Sequence, residues 1–215
     1  MADPAPRILV LAGTNGAGKS SIGGAFLRQS GGEYFNPDEV AQRMRAADPS
    51  LDATAANARA WTVGRRLLER TIRERHDFAI ETTLGGTTIT HLLGEAAGQG
   101  FAVRIWYAGL ATPDLHVARV AARVGRGGHD IPEDAVRRRF DDSRRNLVTL
   151  LPRLDELQLY DNTTEGDPAT ATPKPVLVLH SRRGEIIAPA SLTDTPPWAR
   201  PIVAAAKKLA TGRGR

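Results

Sequence analysis

One stretch constrains this chain more than any other: the apolar run Ile8-Leu9-Val10-Leu11-Ala12, followed at once by Gly13-Thr14-Asn15-Gly16-Ala17-Gly18-Lys19-Ser20-Ser21. Such a run reads as a buried parallel strand. The Gly-x-x-x-x-Gly-Lys-Ser that ends it is the phosphate-binding loop pattern in full. Glycines let successive backbone N–H groups turn toward one point, and a helix starting near Gly18 adds its positive dipole end there. Lys19 supplies a mobile charge for the β- and γ-phosphates, and the Ser20 hydroxyl is a ligand for Mg²⁺. Residues 13–21 therefore predict a site for ATP or GTP with Mg²⁺.

Elements downstream repeat a strand–helix alternation. Strands are expected over Glu33–Asn36, Phe78–Glu81, Phe101–Ala108 and Leu157–Tyr160. Helices are expected over Ser20–Gln29, from Pro37, over about Asp52–Arg75, from Ile89 to Gly98, over Pro113–Val124 and from Pro132 to about Leu151. In the second of the long helices, Trp61, Leu68 and Ile72 share one face. The alternation argues for an α/β fold, a parallel sheet with helices on both faces.

We expect a kinase core over residues 1–163 with a lid at about 119–139, a Pro/Thr/Ala-rich linker at 164–175, and an extension over 176–215 made of a strand hairpin, a short helix and a basic tail. At 215 residues, one α/β domain with a sizeable core fits and two do not.

Composition excludes some classes. There is no cysteine, which removes disulfides and thiolate metal sites. No apolar run reaches the ~20 residues of a membrane span, and the first residues lack the apolar core of a signal peptide, so a cytoplasmic protein is expected. Net charge is +5, which invites a nucleic-acid partner. The excess is concentrated between Arg119 and Arg145 and at the C-terminus, however, and this placement favours small-molecule phosphates over nucleic acid.

A phosphate loop holds phosphate; other residues decide what is done with it. Asp38 follows the second strand, at the sheet edge beside the γ-phosphate, where a carboxylate can accept the proton of an attacking hydroxyl. It is equally a good first-turn helix carboxylate, and Glu39 could take the same part. Glu81 closes the third strand at that edge, with Thr82 next to it, and both are candidate substrate contacts. No run of four apolar residues ends in Asp, so any protein carboxylate on Mg²⁺ must come from Asp38, Glu81 or Asp77.

Arg119, Arg123 and Arg126 are spaced by four and three and share a helical face. Gly125, Gly127 and Gly128 follow, with Arg137, Arg138 and Arg139 beyond them. Arginines on either side of a glycine hinge are how a lid closes over a polyphosphate. His129 is a further candidate contact in that hinge. Asp161-Asn162-Thr163 follows the last core strand, where kinases of this topology often meet the adenine, and reads equally as a plain turn.

Gly13–Ser20, the Asn36-Pro37-Asp38 corner, the Phe78–Leu84 stretch with Glu81-Thr82-Thr83, and Arg123–Arg139 with Gly127-Gly128-His129-Asp130-Ile131-Pro132 together resemble the zeta-toxin family of P-loop kinases. The likeness covers about residues 7–163. It implies Lys19 on the phosphates, Asp38 as general base, Glu81 on the substrate, and Arg123 and Arg137 clamping the transferred group. It also implies the 3′-hydroxyl of UDP-N-acetylglucosamine as acceptor and a restraining antitoxin as partner. Polynucleotide 5′-hydroxyls, antibiotics or other alcohols as acceptors, and a nucleotide-binding module without catalysis, are the competing expectations.

Overall fold

The computed structural model describes residues 4–19, 22–23, 33–125, 128, 130–164 and 175–212. The expected helix after the phosphate loop falls almost wholly outside them, as do Ser20, Ser21, Arg126, Gly127, His129 and most of the 164–175 linker.

Seven strands form one sheet: β1 (Arg7–Ala12), β2 (Glu33–Phe35), β3 (Phe78–Thr82), β4 (Ala102–Gly109), β5 (Glu156–Asp161), β6 (Val176–Arg182) and β7 (Glu185–Ala188). Their spatial order is β2-β3-β1-β4-β5-β6-β7. The first five run parallel, and β6 and β7 continue the sheet antiparallel. The helices are α1 (Pro37–Ala47), α2 (Ala53–Glu74), α3 (Thr87–Gly98), α4 (Pro113–Val124), α5 (Glu133–Leu150) and α6 (Arg200–Gly212).

Alternation along the strands decides which face is the main core. Ile8 and Val10 sit in register with Phe78 and Ile80 on one side and Val103 and Ile105 on the other. This apolar face packs against Leu68, Ile72, Leu93, Leu147 and Ile202 from four helices. The opposite face carries Leu11, Ala79 and Trp106. A Cβ at Gly23, in the segment that follows the loop, would meet the Trp106 ring at 2.5 Å, so chain crosses this face too.

Helix starts follow local chemistry. Asn36 caps α1 with its side-chain oxygen, accepting from the Asp38 and Glu39 N–H groups, and Pro37 takes the first helical position. Asp52 caps α2 in the same way, and Thr112 caps α4 just before Pro113.

Residues 176–212 form the expected strand hairpin and helix, and these join the same sheet and core rather than standing apart from it. The β6 strand pairs with β5 along its length. The Trp198 indole stacks on Tyr107 of β4 with ring centroids 6.3 Å apart. Apolar β6 and amphipathic α6 bury their faces only by closing the sheet's far half, which explains the difference.

Candidate active site

The phosphate loop follows β1, and its glycines are required by space as well as by backbone angle. Gly13 has φ +136°, and a Cβ there would lie 2.2 Å from the Ala108 carbonyl oxygen. Gly16 and Gly18 have φ near +79° and +77°, a region that costs other residues about 1–2 kcal/mol.

The loop is gripped from three sides. Buried His116 of α4 hydrogen-bonds the Asn15 carbonyl through Nδ1 at 2.8 Å. Asn162, after β5, donates through Nδ2 to the Ala17 carbonyl at 2.9 Å. Arg139 of α5 donates to Asn15 Oδ1 at 2.8 Å, while Thr14 donates to the Arg139 carbonyl. Burial pushes the His116 imidazole down to about 4, so at neutral pH the ring is uncharged and its Nδ1 carries the proton given to Asn15.

Lys19 turns back on the loop. Its Nζ donates to the Gly13 carbonyl at 3.0 Å and stands 3.5 Å from Glu81 Oε1. Glu81 ends the buried part of β3 and is itself buried. Its other oxygen accepts from the Tyr34 hydroxyl and from Asn36 Nδ2, each at 3.2 Å. Burial, and then the Glu81 charge, raise the Tyr34 phenol above its ordinary value, which keeps it a donor to Glu81. Asn36 thus caps the helix that carries Asp38 and also holds Glu81. Sequence reasoning treated Asn36 only as part of a corner; its position before Pro37 was the available signal.

Asp38 stands in the first turn of α1 with half of its side chain open to solvent, and Arg123 Nη1 lies 3.6 Å from its Oδ2. Gly128 lies close to the end of α4: its N–H donates to the Arg123 carbonyl, and a Cβ there would fall 2.6 Å from Arg123 Cγ. Arg119, one turn earlier, donates instead to the carbonyls of Asn162 and Thr163.

Arg137 differs from its expected place. Its Nη2 pairs with Asp114 at 2.6 Å and with Glu133 at 2.7 Å, outside the cleft. Two residues along a helix turn a side chain by about 200°, so Arg139 is the one brought to the loop. Asp77 is also excluded from the phosphates. It precedes β3 and pairs with Arg7, at the opposite edge of the sheet from the loop. Thr82 sits at the cleft, its hydroxyl accepting from the Leu84 N–H.

A cleft of about 430 Å³ opens between the loop, β3, α1 and α2. Asp38, Glu81, Thr82 and Arg139 line it beside Asn15, and the opposite wall is a stripe of α2 bearing Thr54, Asn57 and Trp61. Asp38 and Asn57 also line an adjoining lobe of about 310 Å³ that contains Arg45 and Arg123. Among the described residues no group of three His, Cys, Asp or Glu side chains could hold a metal alone, and no helix is long and apolar enough to cross a membrane.

Comparison with known proteins agrees with this architecture. The family model described as an AAA domain matches residues 8–150. An uncharacterised protein of Haemophilus influenzae is 31% identical over 134 residues, which is 62% of this chain and 92% of that protein. The crystal structure of the AvrRxo1-ORF1:AvrRxo1-ORF2 complex with ATP superposes with a TM-score of 0.66 at 15% identity, over 95% of this chain. This chain spans 64% of the length of that one. The PezAT chromosomal toxin–antitoxin system of Streptococcus pneumoniae superposes with a TM-score of 0.57 at 14% identity, over 97% of this chain and 88% of that one. At such identities the likeness is one of fold: a P-loop α/β fold shared with these proteins.

Proposed function

This chain belongs to the AAA domain family over residues 8–150, and from that premise we propose that it is a kinase, moving the γ-phosphoryl group of ATP or GTP to a hydroxyl of a small metabolite. The observation that carries the reading is that Asp38 stands where two spaces join, meeting Arg123 of the adjoining lobe at 3.6 Å and lining the cleft that Asn15 of the phosphate loop also lines. A half-exposed carboxylate there can take a proton, and a guanidinium beside it can meet phosphate.

In this reading Lys19 exchanges Gly13 and Glu81 for the phosphates. The acceptor oxygen attacks the γ-phosphorus, its proton passes to Asp38, and the bond from the γ-phosphorus to the β,γ-bridging oxygen breaks to release the nucleoside diphosphate. Arg123 and Arg139 neutralise charge on the transferred group. Glu81 is a hard oxygen donor beside Lys19, and Mg²⁺ takes one or two carboxylates together with phosphate oxygens, so Glu81 would suit that ion. When bound, Mg²⁺ supplies further neutralisation of the phosphate charge.

The likeness to zeta-toxin kinases supports UDP-N-acetylglucosamine as the first acceptor to try. The protein–protein complexes among the structural neighbours support an antitoxin-like partner, and the soluble-enzyme features read from the sequence support a cytoplasmic setting. Incubation with ATP, Mg²⁺ and a panel of sugar nucleotides, free sugars, nucleosides and oligonucleotides, followed by phosphorus NMR, tests the reading. A new phosphate monoester on a small molecule is the expected result. Transfer to an oligonucleotide alone, or to nothing, contradicts it.

A further inference from the structure

Trp61 lies on the same helical face as the core residues Leu68 and Ile72, yet it is 47% exposed while they are buried. The reason is where α2 runs. Its C-terminal half packs Leu68 and Ile72 into the sheet's core, and its N-terminal half packs Ala56 and Ala60 against Ala41 and Leu51 while Thr54, Asn57 and Trp61 line the cleft. Gly64 marks the changeover: a Cβ there would meet the Phe35 ring at 2.5 Å, so the helix rests directly on the edge strand at that point. One turn before it, the indole faces the cleft. Among the described residues Trp61 is the only aromatic side chain that large and that exposed.

Its surroundings narrow what can lie on it. Arg65 sits over the ring at 6.0 Å and is ion-paired with Glu69, so its charge is already answered. The Arg139 guanidinium also lines the cleft and donates to Asn15 of the phosphate loop. Other polar groups lining the cleft include the carboxylates Asp38, Glu81 and Asp130 and the hydroxyls Thr82 and Thr83, with Thr54 on the same wall as the indole. Carboxylate oxygens accept and threonine hydroxyls both accept and donate, which suits a ligand rich in O–H groups. A flat apolar surface flanked by acceptors matches a hydroxylated ring that lays its C–H face on the indole and turns its hydroxyls to the rim.

We propose that Trp61 is the seat of the acceptor and selects a hydroxylated ring, the ring whose hydroxyl is presented to Asp38. The proposal rests on the kinase reading for the hydroxyl's fate, while the seat itself is a binding site independent of transfer.

Two readouts separate them. In the first, N-acetylglucosamine and its open-chain alditol, which lacks the ring, are titrated into the full chain while tryptophan fluorescence is followed. The ring form changes the emission, the alditol changes it at least tenfold less at equal concentration, and the Trp61→Phe variant loses the response. In the second, phosphoryl transfer to N-acetylglucosamine or to UDP-N-acetylglucosamine is compared in wild type, Trp61→Phe and Trp61→Ala. The alanine variant raises the acceptor KM at least tenfold and leaves the ATP KM unchanged, and phenylalanine restores most of the loss. A fluorescence response without any transfer supports the seat and removes the kinase reading. Transfer with an unaltered acceptor KM in Trp61→Ala overturns the seat and leaves the kinase reading standing. Equal responses to ring and alditol, or no response to either, also overturn the seat.

Discussion

Lys19 and Glu81 face each other at 3.5 Å, both nearly closed to solvent, so the loop's cation is already answered by a strand carboxylate before any nucleotide arrives. Removing one partner of such a pair leaves the other charge buried and uncompensated. Glu81→Gln keeps the shape and the acceptor oxygen for Tyr34 and Asn36 while removing the charge. Transfer should fall at least tenfold, with nucleotide affinity held within about threefold, read by steady-state kinetics beside a nucleotide-binding titration. Equal losses in both would assign Glu81 to nucleotide binding alone.

Arg139 and Arg137 should separate cleanly. Arg139→Lys loses the planar fork on Asn15, and Lys is a poor substitute at such a site. A drop in transfer on the order of 10²–10³-fold is expected, the range for removing one donor to developing charge. Arg137→Ala removes only exposed pairs, each worth ~0–1 kcal/mol, and should leave turnover within about twofold. Parallel kinetic measurement of the two variants decides this.

The sequence made the donor half of the site legible and left the arginines ambiguous, for a physical reason. The loop is a local motif whose backbone geometry is written by Gly13, Gly16 and Gly18, and the Pro37 and Pro113 helix starts are equally local. Arg137 and Arg139 are neighbours in a run of three arginines, and only the rotation of α5 against the loop tells them apart. Trp61 eluded the pattern in the same way. Helical spacing places it on the face of Leu68 and Ile72, but does not show that this turn of the helix lines a cleft instead of the core. For residues 176–212 the hairpin and helix are legible, but not that β6 pairs with β5, because the Pro/Thr/Ala-rich stretch between them carries no turn pattern that marks the chain's return.

Trp198 tests that last point. It is almost fully buried, stacks on Tyr107, and fills the space that a Cβ on Gly109 would take, 2.3 Å from the indole. Trp198→Ala should destabilise the whole protein by about 3–5 kcal/mol, seen as a shifted urea midpoint in a single transition. A loss below about 1 kcal/mol, or an early separate transition, would mean that the C-terminal segment folds independently of the core.

His116 makes stability pH-dependent in a stated direction. Its folded value lies near 4, below the ordinary 6.5, because burial disfavours the imidazolium. Between those values the unfolded chain binds the proton and the folded chain does not, so stability rises with pH across that window and its contribution is lost as pH falls toward 4. The full effect is up to about 3 kcal/mol. In His116→Gln, which keeps a donor for the Asn15 carbonyl, the slope of unfolding free energy against pH between 4 and 6.5 should fall by the equivalent of about one proton. An unchanged slope would mean that the histidine is protonated in the folded protein.

The central claim is that Asp38 takes the acceptor's proton beside the phosphate loop, and the most direct measurement is phosphoryl transfer by Asp38→Ala set against its nucleotide affinity. Loss of a positioned general base costs typically 10²–10⁴-fold. A fall in kcat of that size, with ATP bound as tightly as by the wild type, is the predicted result; turnover within a few-fold of wild type would contradict it.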